Sequence, residues 1–188
     1  SALRQHGYST AHIGKWHTGV DAGFGRDWDH QKVWNRPRHP ENAPNYYDNQ
    51  LISTDGGEPV MVEGYTTDNY TDWAIDFIES EARGEEKPWY LWLCYGAVHG
   101  PFTPAARHQQ DYAGIDVPVP SDVYPPRPGK PAYAQKMEFW ELGKNGKPVE
   151  RKVRDTSPVG MKDRPGRPLS DWIRQYHQGV LAIDENVG

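Results

Sequence analysis

The run Pro88-Trp89-Tyr90-Leu91-Trp92-Leu93-Cys94-Tyr95 most narrows the folds open to this chain. It is too short for a typical helix and nearly continuous in apolar side chains, as expected of a strand buried on both faces of a parallel sheet. The preceding sequence predicts a helix capped by Thr67, because Tyr70, Trp73, Ala74, Phe77 and Ile78 follow the i, i+3, i+4, i+7, i+8 rule. Gly84 and its charged neighbours are placed to end it. A third helix is expected from about Ser170 to Val187, with Trp172, Ile173, Tyr176, Val180, Ile183 and Val187 on one stripe. Residues 1–6 read as the last turn of a first helix, stopped by Gly7, and residues 8–14 as a strand. Helix, strand, helix, strand, helix is an α/β pattern: part of a mainly parallel sheet flanked by helices.

The strand over 8–14 delivers the chemistry. In Gly14-Lys15-Trp16-His17-Thr18-Gly19, Lys15 and His17 stand two residues apart where the strand runs out. That spacing aims an ammonium and an imidazole to one side, while Gly14 and Gly19 allow backbone or ligand to come close. A fixed positive charge beside a titratable ring suits an anionic substrate and proton transfer. His12 alternates to the opposite face and reads as structural. The strand 88–95 ends in Gly96-Ala97-Val98-His99-Gly100-Pro101-Phe102-Thr103-Pro104, so His99 also lies just past the carboxyl end of a strand, where open α/β sheets place ligands.

The stretch Gly7 to Gly19 resembles the second signature of the sulfatases, roughly Gly-Tyr-x-Thr-x-x-x-Gly-Lys-Trp-His-x-Gly, at every fixed position. His99 resembles the His of that family's strand followed by Pro-His-x-Pro, although Val98 stands where a Pro is usual. The helix from Tyr65-Thr66-Thr67-Asp68 and the closing Asp184-Glu185-Asn186-Val187-Gly188 are similar to further family blocks. The resemblance implies an alkaline-phosphatase-like α/β fold and a sulfuric ester hydrolase acting on a small-molecule or carbohydrate sulfate ester. It carries Lys15 over as a sulfate and nucleophile clamp, and His17 as the group that orients or deprotonates the nucleophile. His99 carries over as a sulfate ligand and leaving-group acid. Asp184 carries over as a helix residue, with no metal role.

The same resemblance implies a formylglycine nucleophile and a Ca²⁺ ion. No Cys/Ser-x-Pro/Ala-x-Arg motif occurs in residues 1–188, and Cys94 lies mid-strand. The formylglycine and the Ca²⁺ ligands are therefore expected outside this chain, which reads as an internal part, 1–188, of a sulfatase catalytic domain. By itself it is expected to be inactive. A periplasmic, secreted or lysosomal-type compartment is the expectation from the resemblance. Competing readings are a phosphodiester or phosphonate monoester hydrolase of the same superfamily, a catalytically silent module, and a His-rich metal protein. The eight His residues show no zinc-type spacing.

Composition excludes some partners. A net charge of -5 leaves no basic footprint for nucleic acid, and no apolar run approaches a membrane span. Mean hydropathy is -0.91, yet 12% aromatics are too many for a disordered chain. Most of the 17 prolines fall in 100–168, which lacks a sustained period and reads as an irregular Pro-rich insertion. Trp28, Trp34, Tyr46 and Tyr47, interleaved with Lys32, Arg36, Arg38 and His39, either stack on sugar rings or pack on the domain; packing is the simpler reading.

Overall fold

The computed structural model describes residues 1–42, 45–80, 87–151 and 166–188. Gly84 and residues 152–165 of the Pro-rich segment lie outside the described residues. The chain divides into two compact units, one of Ser1–His108 with Gly179–Gly188 and one of Gln109–Gln178.

The first unit is built on a five-stranded sheet of β1 Ser9–Trp16, β2 His30–Asn35, β3 Asp48–Thr54, β4 Val60–Tyr65 and β5 Trp89–Cys94, in the order β4-β3-β2-β1-β5. β1 is parallel to β2 and to β5. β3 is antiparallel to both β2 and β4, so β3 alone runs against the other four. The short helix α1, Ala2–Gln5, ends at His6, and Gly7 takes φ +82 to turn the chain into β1. β1 is flanked on both sides, and its first six residues are buried.

Helix α2, Thr66–Glu79, lays Tyr70, Ala74 and Phe77 on Ala11 and Ile13 of β1 to form the core. The expected cap is displaced. Tyr65 occupies the N-cap without a side-chain cap bond, and Thr67 is the second residue of the helix. Ile78, expected on the buried stripe, is exposed.

The apolar run at 88–95 departs further from expectation. Among the described residues β5 lies at the end of the sheet and pairs with β1, and Trp89, Tyr90 and Trp92 are 39%, 40% and 42% exposed. Within residues 1–188 its two faces are therefore not both covered. On the side away from α2, Trp92 joins Trp16 and Trp28 around His12, with ring centroids 5.1–5.5 Å from the imidazole. His12 is fully buried, as its structural reading requires, and burial pushes its pKa from 6.5 down to about 4.

A pH dependence follows. The unfolded chain takes up a proton on His12 near pH 6.5, whereas the folded protein does so only near pH 4. Stability is full above pH 6.5 and falls by roughly 3 kcal/mol as pH drops to 4. Denaturant melts between pH 7 and 4 should show this slope, and His12→Met should flatten it. Equal slopes in the two proteins would contradict the assignment.

The short helix α3, Ala132–Gln135, belongs to the second unit, and helix α4, Leu169–Val187, begins in the second unit and ends in the first. Its expected apolar stripe is only partly covered: Trp172, Ile173 and Ile183 are half-buried. Tyr176, Val180 and Val187 are exposed, while Leu169, Gln178 and Ala182 are buried. The end of the helix is held by charge. Arg107 pairs bidentately with Asp68 at 2.7 and 2.8 Å and with Glu185 at 2.6 Å, while Asn186 donates to Asp68 at 2.9 Å. Asp184 is an exposed helix residue beside this network.

In the second unit, β6 Trp140–Leu142 and β7 Pro148–Glu150 form an antiparallel pair. Phe139, Trp140 and Trp172 pack edge to face at 5.2–6.1 Å. The Pro-rich stretch is ordered around Arg127, whose guanidinium donates to the carbonyls of Asp122, Val123, Ala134 and Met137 at 2.6–2.8 Å. Proline removes backbone donors from this stretch, and one arginine fork ties four of its carbonyls together.

Candidate active site

Strand register brings the candidate residues together. Gly14 of β1 stands opposite Cys94 of β5, so Lys15 and the Gly96–His99 turn leave the sheet side by side. Gly14 has φ +108, and a Cβ there would lie 2.1 Å from the Cys94 carbonyl oxygen. Only glycine lets the two strand ends approach this closely. On the other flank, Trp16 pairs with Asn35, and the Arg36 N–H donates to the Trp16 carbonyl at 3.3 Å.

Tyr46 is the platform between these ends. It is buried, its carbonyl accepts from Thr66 Oγ1 at 3.0 Å, and a Cβ on Gly96 would sit 2.5 Å from that carbonyl. The phenol ring stacks on His99 at 4.0 Å and 12°. Lys15 Nζ stands 4.8 Å from the same ring centroid, a cation–π distance. Tyr47 Oη donates to the His99 carbonyl, so consecutive tyrosines hold the ring and the backbone of His99.

The His99 ring has a defined tautomer. Nδ1 lies 2.6 Å from the Gly100 carbonyl, which can only accept. Nδ1 therefore carries a hydrogen, and Nε2 is left for a ligand, as acceptor when the ring is neutral and donor when it is protonated. His17 is exposed, and its pKa is lowered by desolvation and by the charges of Lys15, Arg36 and His99. His17 follows Lys15 by two residues, and Arg36 stands level with it across the β1–β2 register. Lys15 is lowered as well, by burial and then by Arg36.

Lys15, His17 and His99 thus stand together at the carboxyl ends of two parallel strands. Two residues of the site were legible only as part of an aromatic and basic loop: Tyr46, the shared platform, and Arg36, which donates through Nη1 to Tyr46 Oη. Trp28, Trp34, Tyr46 and Tyr47 are all buried, so this loop packs on the domain. The cluster is cationic, and among the described residues neither Lys15 nor Arg36 has an acidic partner. Such donors fit an oxyanion and do not fit Ca²⁺, which requires oxygen ligands. No group of three or more His, Cys, Asp or Glu among the described residues could hold a metal ion. Burial pushes the half-buried Cys94 thiol up to about 11, the opposite of an activated nucleophile.

The sulfatase family model matches residues 1–188. An N-acetylglucosamine-6-O-sulfatase of Bacteroides thetaiotaomicron is 26% identical over 227 residues, covering 99% of this chain and 38% of the relative. A solved structure described as in complex with its substrate D-glucosamine-2-N,6-O-disulfate superposes with a TM-score of 0.69 at 23% identity. The match covers 99% of this chain and 44% of that one. Ps i-CgsB, solved in complex with k-i-k-neocarrahexaose, superposes with a TM-score of 0.54 at 18% identity, covering 99% and 33%. These structural likenesses show the fold, and the chain spans less than half the length of each relative.

Proposed function

The chain belongs to the sulfatase family, and from that premise we propose that the protein carrying it hydrolyses sulfate monoesters of a carbohydrate. The observation that carries the reading is the joining of Lys15 and His99 around Tyr46, with His17 two residues beyond Lys15 and no acidic partner for Lys15 among the described residues. The similarity to an N-acetylglucosamine-6-O-sulfatase supports an amino-sugar substrate.

In this reading the Lys15 ammonium holds sulfate oxygens whose charge redistributes as the ester bond breaks. Tyr46 limits the freedom of both Lys15 and His99, so little ordering remains to be done when substrate arrives. His99 presents Nε2 to the ester, and its protonated form donates to the departing alkoxide oxygen. His17, whose proton affinity is lowered by desolvation and then by its cationic neighbours, is the proton acceptor in this reading. Calcium and formylglycine belong to the same proposal, supplied by residues outside 1–188.

The test is sulfate release by the full-length protein from N-acetylglucosamine 6-sulfate, beside an aryl phosphodiester and an aryl phosphonate monoester. Release from the sulfate ester with little or no turnover of the others is expected. The reverse preference would move the protein to the phosphoryl-transfer branch of the superfamily.

A further inference from the structure

Arg36 has no role in the proposal above, yet it occupies the centre of the cluster. It follows the last residue of β2, and its backbone bond to Trp16 sets it level with His17. The guanidinium carbon lies 5.4 Å from the Tyr46 ring centroid, and Nη1 donates to Tyr46 Oη. Its Nε and Nη2 have no hydrogen-bond partner among the described residues. The free edge of a planar fork is the part that receives carboxylates and sulfates bidentately.

Lys15 and Arg36 are both cationic and both lie against the Tyr46 ring. Burial first, and then the charge of Arg36, lowers the proton affinity of Lys15. An anionic group on Arg36, beside a sulfate on Lys15, would relieve that repulsion. Arg36 is also anchored, because Tyr46 Oη accepts from one end of the fork and leaves the other end free.

The geometry points to Arg36, positioned by Tyr46, as the contact for a second anionic substituent on the saccharide, beside the sulfate ester held by Lys15 and His99. This specificity role rests on the sulfatase reading above. The substrate class is a sugar with two acidic groups close together, a second sulfate or a carboxylate, instead of a monosulfated neutral sugar.

The test uses the full-length protein with glucosamine carrying N- and 6-sulfates and with N-acetylglucosamine 6-sulfate. Arg36→Gln should lower kcat/KM on the disulfated sugar about tenfold or more, chiefly through KM, as expected for loss of a charged hydrogen bond. On the monosulfated sugar the loss should be smaller by about fivefold or more, so that the preference between the two sugars shifts. Arg36→Lys should recover part of the loss, and Tyr46→Phe, which keeps the ring under His99, should reproduce it in milder form. Thermal melts confirm that the variants are folded.

Equal losses on both sugars would make Arg36 a prop of the cleaved-sulfate site and overturn the inference; so would no loss on either. If the wild-type protein hydrolyses neither sugar, the sulfatase reading itself fails. Calorimetric affinity for the disulfated sugar, which needs no turnover, then decides Arg36 separately: weaker binding by Arg36→Gln upholds the contact, and unchanged binding removes it.

Discussion

Lys15→Ala in the full-length protein is expected to lower turnover of a sulfate ester on the order of a hundredfold or more while leaving the fold intact. Lys15 is partly buried, has no acidic partner among the described residues and stands 4.8 Å from the Tyr46 ring centroid. Its removal costs no ion pair. It also relieves repulsion from Arg36, so the melting temperature should hold or rise slightly. A loss of turnover without a loss of stability marks a group whose work is done on the substrate. His12→Ala is the control from the other face of β1. It removes a fully buried ring from among Trp16, Trp28 and Trp92, so it should cost stability and leave turnover of the folded fraction nearly unchanged. Near-normal turnover in folded Lys15→Ala would show that the Gly-Lys-Trp-His stretch is no anion clamp.

Gly14→Ala should destabilise the protein by several kcal/mol, on the order of 4 or more, and reduce the yield of folded protein. Two costs combine. The backbone at φ +108 is unfavourable for any residue with a Cβ, and that Cβ would lie 2.1 Å from the Cys94 carbonyl oxygen and 2.9 Å from the Tyr70 ring. The carbonyl is main chain of a paired strand, so relief would require β1 and β5 to separate, carrying Lys15 away from His99. Gly7→Ala provides the scale: it also has positive φ, +82, but nothing lies within 4 Å of the added methyl. That substitution should cost about 1–2 kcal/mol. Chemical denaturation of the two variants against the parent checks the contrast. Gly14→Ala no less stable than Gly7→Ala would mean that the close approach of the strand ends is not required.

What could be read from the sequence was what depends on local periodicity. The turn at Gly7, the strand carrying Lys15, and the Tyr70, Ala74 and Phe77 stripe of α2 stand as their spacing implied. The inward face of His12 followed from the same alternation. The misreadings came where burial depends on neighbours far along the chain. β5 has the hydrophobicity of a central strand, while among the described residues it pairs with β1 and stands last in the sheet order, which no feature of residues 88–95 records. The buried face of α4 carries Gln178 and Ala182, a polar and a small residue, because Gln178 spends its amide on the carbonyls of Gln109 and Asp111. Counting only large apolar side chains found the half-buried Trp172, Ile173 and Ile183 but missed these two fully buried residues. Within the site, Lys15, His17 and His99 were singled out by position after strand ends. Arg36 and Tyr46 join them only through the pairing of β1 with β2 and the stacking on His99, which sequence spacing does not encode.

The central claim is that one oxyanion site is formed by Lys15, His17 and His99 over Tyr46. A crystal structure of the full-length protein holding a sulfated N-acetylglucosamine tests it most directly. The account predicts the sulfate group within hydrogen-bond distance, about 2.7–3.2 Å, of both Lys15 Nζ and His99 Nε2, with His17 beside it. A sulfate bound elsewhere in the protein, with Lys15 and His99 contacting only Tyr46 and solvent, would contradict it.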